Sequence, residues 1–288
     1  EGDRLPPLCI RGGNLKGMRY EMPVASAQVK SALLIAGLYA DSPVTVVEPM
    51  LSRDHTERML SAMGARIERD GNAVTIHPAQ SLAPSDFSVP ADISSAAFFL
   101  VLGACVPGAS IRLPGIGVNP LRTGIVDVLR RMGADIVEEN RRDEGGEPVA
   151  DLVVRGGALR ATDVVPEEIP GLVDEVPALC VAAAFAEGRT EIRGAQELRV
   201  KESDRIRSMT DALTALGVRC GEYDDGMWIE GPSTLASGIR CDSRGDHRIA
   251  MSLAILAVAS GTGIGISDTE CIDTSFPTFH DQLAGLLT

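Results

Sequence analysis

The stretch Asp174-Glu-Val-Pro-Ala-Leu-Cys-Val-Ala-Ala-Ala-Phe-Ala-Glu-Gly188-Arg-Thr-Glu-Ile-Arg193 decides the fold. An acidic residue opens it, an apolar run follows over 176–186, Gly188 marks a turn, and 190–193 alternates as a short strand does. The same unit is written three more times. Ser26 leads into an apolar run at 29–38 and a strand pattern at 44–47. Asp92 leads into 96–106 and 110–113, and Asp246 into 249–259 and 263–267. A second, amphipathic helix pattern follows each strand, stopping at Gly64, Gly133 and Gly217, while the fourth runs out at Leu286-Leu287. Two strand patterns then close the first three copies: 65–68 with 73–77, 135–138 with 151–154, and 219–222 with 227–230. Asp70-Gly71-Asn72 and Asp224-Asp225-Gly226 are the turn signals that hairpins need, and 141–146 reads as a charged hairpin loop. A period this long implies stacked supersecondary units that cannot bury their apolar faces singly. Runs 178–185 and 253–259 are apolar nearly all round, which places those helices inside a layer. The expected class is therefore α/β (α+β), with repeated βαβαββ units, buried parallel helices inside and sheets outside. The stretch 80–88, with Ser81, Pro84 and Ser85, is the expected linker between residues 1–88, holding one repeat, and 89–288, holding three.

Composition narrows the function. The 288 residues carry a net charge of −13 and only 3% aromatics, so the basic footprint and stacking rings of a nucleic-acid binder are missing. No apolar run reaches the ~18–20 residues of a membrane span. The six cysteines at 9, 105, 180, 220, 241 and 271 form no C-x-x-C pair and read as reduced thiols of a cytoplasmic protein. Histidines 55, 77, 247 and 280 lack ligand spacing, so no metal site is expected. The chain starts at Glu1 within a strand-turn pattern, which suggests that a preceding segment is absent.

The polar residues that interrupt the repeats are the candidates for chemistry. Arg199-Val-Lys201-Glu202-Ser203-Asp204-Arg205 stands at a loop-to-helix junction. Lys201 and Arg205 are four apart, so on one helix they would share a face and hold one anion, with Glu202 close enough to pair. A solvated, salt-bridged first turn would read the same way. Gly245-Asp246-His247-Arg248 sets a guanidinium before a long apolar run, either as an anion clamp or as a cap followed by a surface Arg. Asp174-Glu175, Ser26 with Gln28, and Ser52-Arg53 occupy comparable openings. Equivalent helix starts gathered by pseudo-symmetry would focus positive potential on an anionic ligand. The second repeat offers Asp92-Ile-Ser-Ser95 and Asn119-Pro120 with no cation at these places, and reads as structural.

Five strings in order, Ser26-Ala-Gln-Val-Lys-Ser31, Asp174-Glu-Val-Pro177, Val200-Lys-Glu-Ser-Asp-Arg205, Asp246-His-Arg-Ile-Ala-Met251 and Thr274-Ser-Phe-Pro277, make the chain resemble the 5-enolpyruvylshikimate-3-phosphate synthases. The resemblance implies an enolpyruvyl transferase-like fold of two domains that close over substrate. It implies transfer of the enolpyruvyl group of phosphoenolpyruvate to the 5-hydroxyl of shikimate-3-phosphate, releasing phosphate, in the shikimate pathway, without metal or organic cofactor. It assigns shikimate-3-phosphate to Ser26, Gln28, Arg53, Asp174 and Lys201, and phosphoenolpyruvate to Gln28, Arg205 and Arg248. Asp174 would take the proton of the attacking hydroxyl, and Lys201 would share proton traffic with Glu202, the donor to the methylene carbon. Two departures stand out: Thr274 replaces a Lys of many members, and Glu197 an Asn of some.

A full member has six repeats, so four imply that about a third is absent. The partners implied are the two small molecules, with neither nucleic acid nor membrane. The parent enzyme would be a monomer. The first repeat would leave Val29, Leu33, Leu34 and Leu38 without cover, favouring self-association, and the chain alone would be inactive or nearly so. The alternatives are a UDP-N-acetylglucosamine enolpyruvyl transferase, which shares fold and chemistry, and a non-catalytic repeat scaffold. A scaffold has no physical need for Asp174, Lys201, Glu202, Arg205 and Arg248 together.

Overall fold

A computed structural model describes residues 9–79 and 81–287. The strand-turn segment expected at Glu1 and the first linker residue, Gln80, lie outside them. The chain divides into two compact units, Glu1–Asp86 and Phe87–Thr288.

The first unit runs β1 (Arg19–Glu21), α1 (Ala27–Gly37), β2 (Val44–Val47), α2 (His55–Ala62), β3 (Ile67–Asp70) and β4 (Ala73–Ile76). Its sheet has the order β1-β2-β4-β3. β1 and β2 are parallel because α1 crosses between them, and β3 and β4 form a tight hairpin with Gly71 at φ 53°. Leu34, Leu60, Val46, Val74 and Ile76 form the core. Helix and sheet meet at Gly37, where a Cβ would lie 2.6 Å from Ile76 Cγ2, so only glycine permits this approach. Of the four apolar residues expected to lack cover, Val29 is exposed and the other three are not. Leu34 and Leu38 are buried by the unit's own sheet, and Leu33 packs against that core; the large apolar residues of α1 left exposed are Val29 and Ile35.

The second unit repeats the order three times. Its first copy holds α3 (Ile93–Cys105), β5 (Ser110–Gly117), α4 (Gly124–Arg131), β6 (Asp135–Glu144) and β7 (Glu147–Arg155). An isolated parallel bridge, Ala91 to Ile116, stands in for the opening strand. The next copy holds β8 (Asp163–Val164), α5 (Val176–Phe185), β9 (Gly188–Ile192), α6 (Arg205–Ala215), β10 (Arg219–Tyr223) and β11 (Gly226–Gly231). The last holds β12 (Ile239–Asp242), α7 (His247–Ser260), β13 (Ile264–Ser267) and α8 (Phe279–Gly285). The sheet order β8-β9-β11-β10 matches that of the first unit position for position, and β12 pairs parallel with β13 in a two-stranded sheet among the described residues.

The opening helices α3, α5 and α7 pack on one another inside this unit. In α3 every residue but Ser95 is buried, and in α5 every residue but Phe185. Removing each such Leu, Val or Phe from water is worth about 1.5–3 kcal/mol, so this helix layer dominates the unit's stability. Phe98, Phe99, Phe276 and Phe279 pack with ring centroids 5.7–6.1 Å apart and fasten α8 to α3. The loop expected at 141–146 is instead mostly strand. Pairing continues to Glu144 opposite Glu147, the register shift between Glu139 and Arg142 absorbs the mismatch, and Gly145 and Gly146, both at positive φ, make the turn.

Candidate functional site

Helix α6 begins at Arg205 because the Asp204 carboxylate accepts from the Arg207 N–H at 3.0 Å and caps it. Lys201 therefore lies outside the helix in extended backbone, and the expected shared helical face of Lys201 and Arg205 does not form. Lys201 Nζ instead donates to Glu197 Oε1. Arg199 holds the junction. Its guanidinium donates to Asp204 Oδ2 at 2.9 Å, to Glu222 Oε2 at 3.0 Å, and to the carbonyls of Tyr223 and Asp224 at 2.6 and 2.9 Å. The turn bearing Lys201 and Glu202 is thus tied to the β10–β11 hairpin.

Arg205 is the centre of the cluster, with 1% of its side chain exposed. It donates through Nε to Asp246 Oδ2 at 2.8 Å, through Nη2 to Glu202 Oε2 at 2.5 Å, and through Nη1 to Asp174 Oδ1 at 3.5 Å. Asp246, fully buried, caps α7 by accepting from the Arg248 N–H at 2.9 Å, and also accepts from Ser203 Oγ at 3.0 Å. Arg248 turns back toward the start of α5, where its Nη1 donates to the Asp174 carbonyl at 3.1 Å and its Nη2 lies 3.9 Å from Asp174 Oδ2. Asp174 itself is not the cap of α5. It is the middle residue of a 3-10 turn, Val173–Glu175, and Glu175 holds the cap position without a side-chain cap bond. The Asp174 carboxylate is thereby left to face Arg205 and Arg248. Asp174, Glu202, Arg205 and Arg248 form one contiguous network, with Lys201 beside it on Glu197.

Electrostatics separate the carboxyls by environment. Burial pushes Asp246 up, but hydrogen bonds and charge from Arg205 outweigh it, and its pKa is held below the ordinary carboxylate value. Burial pushes Glu175 up, and there it prevails over Ser94, Arg248 and Arg122. His247 is lowered, first by burial and then by Arg248. Asp174 and Glu202, with side chains 23% and 52% exposed, are the carboxylates within reach of solvent, and Arg248, at 17%, is the reachable guanidinium. Such a set can exchange protons and neutralise an anion at one place.

In the first unit, Ser26 caps α1, accepting from the Val29 N–H at 3.3 Å, and its hydroxyl lies 3.5 Å from Gln28 Oε1. Gln28 is exposed and Arg53 half-exposed in the loop before α2. Lys30, absent from the candidates drawn from sequence, anchors that loop from below. Fully buried, it contacts Glu48 Oε2 at 3.0 Å, Glu57 Oε1 at 2.8 Å and the Ser52 carbonyl at 3.2 Å. Ser52, at the opening of the first unit's second helix, is buried against Glu48. The signal in the sequence was a lysine inside an apolar run. Thr274 bonds only the Cys271 carbonyl among the described residues. The second repeat also holds a cation that sequence reading missed: Arg122 donates to Asp92 Oδ1 at 2.9 Å and to Ser94 Oγ at 2.7 Å.

Comparison with known proteins gives a consistent outcome. The family model described as EPSP synthase (3-phosphoshikimate 1-carboxyvinyltransferase) matches residues 1–283. The 3-phosphoshikimate 1-carboxyvinyltransferase of Desulforudis audaxviator is 52% identical over 282 residues, covering 98% of this chain and 66% of its own. That of Geobacter sulfurreducens is 53% identical over 273 residues, covering 95% and 63%. The solved EPSP synthase of Acinetobacter baumannii superposes with a TM-score of 0.89 at 45% identity, over 95% of this chain and 63% of that one. The enolpyruvyl transferase NikO of Streptomyces tendae shares the fold, with a TM-score of 0.70 at 21% identity over 88% and 57%. The chain thus spans just under two thirds of the length of the curated relatives it matches.

Proposed function

The chain belongs to the EPSP synthase (3-phosphoshikimate 1-carboxyvinyltransferase) family, and we propose that it carries acid–base and anion-binding groups for enolpyruvyl transfer from phosphoenolpyruvate to shikimate-3-phosphate. The observation that carries the reading is the network in which one buried arginine, Arg205, holds Glu202, Asp174 and Asp246 while Arg248 reaches Asp174 from α7. Asp174 accepts the proton of the 5-hydroxyl as its oxygen bonds to the central carbon of phosphoenolpyruvate. Glu202, with Lys201 beside it, delivers a proton to the methylene carbon. The resulting adduct then loses phosphate and returns a proton from that carbon, restoring the double bond. Atoms balance, and the two carboxyls work in opposite senses.

Arg248 is the reachable cation for the phosphoenolpyruvate anion. Arg205, sealed under three carboxylates, contributes charge from beneath and keeps the acid–base groups in register. Ser26, Gln28 and Arg53 of the first unit serve shikimate-3-phosphate. The soluble small molecules are the partners in this reading.

Kinetics of a fusion supply the test, joining this chain to the part of the Desulforudis audaxviator relative that it does not match. Arg248→Ala should raise the KM for phosphoenolpyruvate more than it lowers kcat, because it removes charge that binds the ligand. Glu202→Gln should lower kcat with little change in KM, because shape is kept and the proton lost. The opposite pattern would overturn the roles.

A further inference from the structure

We propose that Arg122, Ser94 and Glu175 form a positioning device that fixes Asp174 and Arg248 in place, so that the second repeat serves the site without touching ligand. Ser94 lies in the first turn of α3 and is buried, and its hydroxyl donates to Glu175 Oε1 across 81 residues of sequence. Arg122 closes the other side of Ser94 and ties it to Asp92, the cap of α3. Glu175 is itself buried and makes no cap bond to its own helix, so its carboxyl is committed to Ser94.

The consequence lies one residue back. A single 3-10 turn of three residues is a weak structure by itself. Here its last residue is pinned through Glu175, and its backbone is closed by the Glu175 N–H to the Leu172 carbonyl at 2.9 Å. The middle residue presents both groups that meet Arg248: the Asp174 carbonyl at 3.1 Å and the Asp174 carboxylate at 3.9 Å. Pinning Glu175 to α3 therefore sets the direction of the Asp174 side chain and the seat of the Arg248 guanidinium. The charged and polar groups facing Glu175 are Ser94 on α3, Arg122 ahead of α4, Asp174 in its own turn and Arg248 on α7. Burial and Asp174 favour the neutral acid over the opposing Ser94, Arg248 and Arg122. A neutral carboxyl has the shape and bonding of a glutamine amide, so Gln is expected to replace it without disturbing the turn.

The use of Asp174 as a base rests on the enolpyruvyl-transfer reading; the positioning itself does not, and it is tested without turnover. The 288-residue chain is labelled with 15N-arginine, and the Arg248 guanidinium signals are identified by their loss in Arg248→Lys. Separate Nη signals are expected in the wild type and in Glu175→Gln, because the bond to the Asp174 carbonyl hinders rotation. In Ser94→Ala and Glu175→Ala they should merge into one averaged signal. Arg199, held by Asp204 and Glu222, should keep resolved signals throughout and so reports an intact fold. If Glu175→Ala loses the Arg199 signals as well, the milder Ser94→Ala decides. Resolved Arg248 signals in Ser94→Ala with Arg199 unchanged would reduce the network to packing and overturn the proposal, and merged signals in Glu175→Gln would overturn the neutral-acid role. Failure of enolpyruvyl transfer would count against the functional reading alone.

Discussion

Asp246→Asn isolates the electrostatic part of the cluster. Asparagine keeps an oxygen for the Arg248 N–H, so the cap of α7 survives, but the charge facing Arg205 is lost. Removing one member of a buried ion pair costs about 3–5 kcal/mol, because the other charge stays desolvated. Arg205 retains Glu202 at 2.5 Å and Asp174 at 3.5 Å, which argues for the lower end, about 3 kcal/mol. At about 2–4 °C per kcal/mol for a unit of this size, the melting temperature should fall by about 6–12 °C. Trp228 is the chain's one tryptophan and lies in β11, so its fluorescence reports the second unit. Urea unfolding should show a lower midpoint with unchanged slope. The pH dependence has a fixed sign. Asp246 is depressed in the fold, so its contribution is present above the unfolded carboxylate value and is lost as pH falls through the folded one. The gap between wild type and variant should therefore close in acid. A loss below about 1 kcal/mol at neutral pH, the scale of an exposed pair, would refute the claim that this charge is buried and essential.

Two further outcomes follow from other buried groups. Glu175 is raised in the fold, so its contribution is full below the unfolded glutamate value and is lost as pH rises through the folded value. Trp228-detected stability should decline over that window in the wild type and stay flatter in Glu175→Gln; parallel curves would refute it. Lys30→Met leaves buried Glu48 without its lysine, while Glu57 keeps Arg69 at 3.1 Å, and should cost the first unit about 3 kcal/mol, the lower end for a broken buried pair. Hydrogen exchange of the β2 amides should then accelerate by the corresponding factor, and unchanged protection would contradict the assignment.

The sequence made the repeat legible because each copy pairs a local cap with a local period. Ser26, Asp92 and Asp246 cap their helices, and Gly64, Gly133 and Gly217, all at positive φ, follow the ends of the second helices. Departures came where a local rule met a competing one. Lys201 is cut off from Arg205 because Asp204 starts the helix later. Leu34 and Leu38 found cover because the first unit's four-stranded sheet closes on its own helix. What could not be read is long-range pairing. Nothing near Ser94 announces Glu175, and nothing near Arg248 announces the Asp174 carbonyl. The candidate residues were visible as types, while the network that orients them depends on tertiary contacts.

The most direct test of the central claim is phosphate release from phosphoenolpyruvate and shikimate-3-phosphate by the fusion described above. The account predicts one phosphate for each enolpyruvyl product, dependence on both substrates, and a loss of at least ~100-fold in kcat for Asp174→Asn, the lower bound for a general base. Turnover by Asp174→Asn at the wild-type rate, or a folded fusion that binds neither substrate, would contradict it.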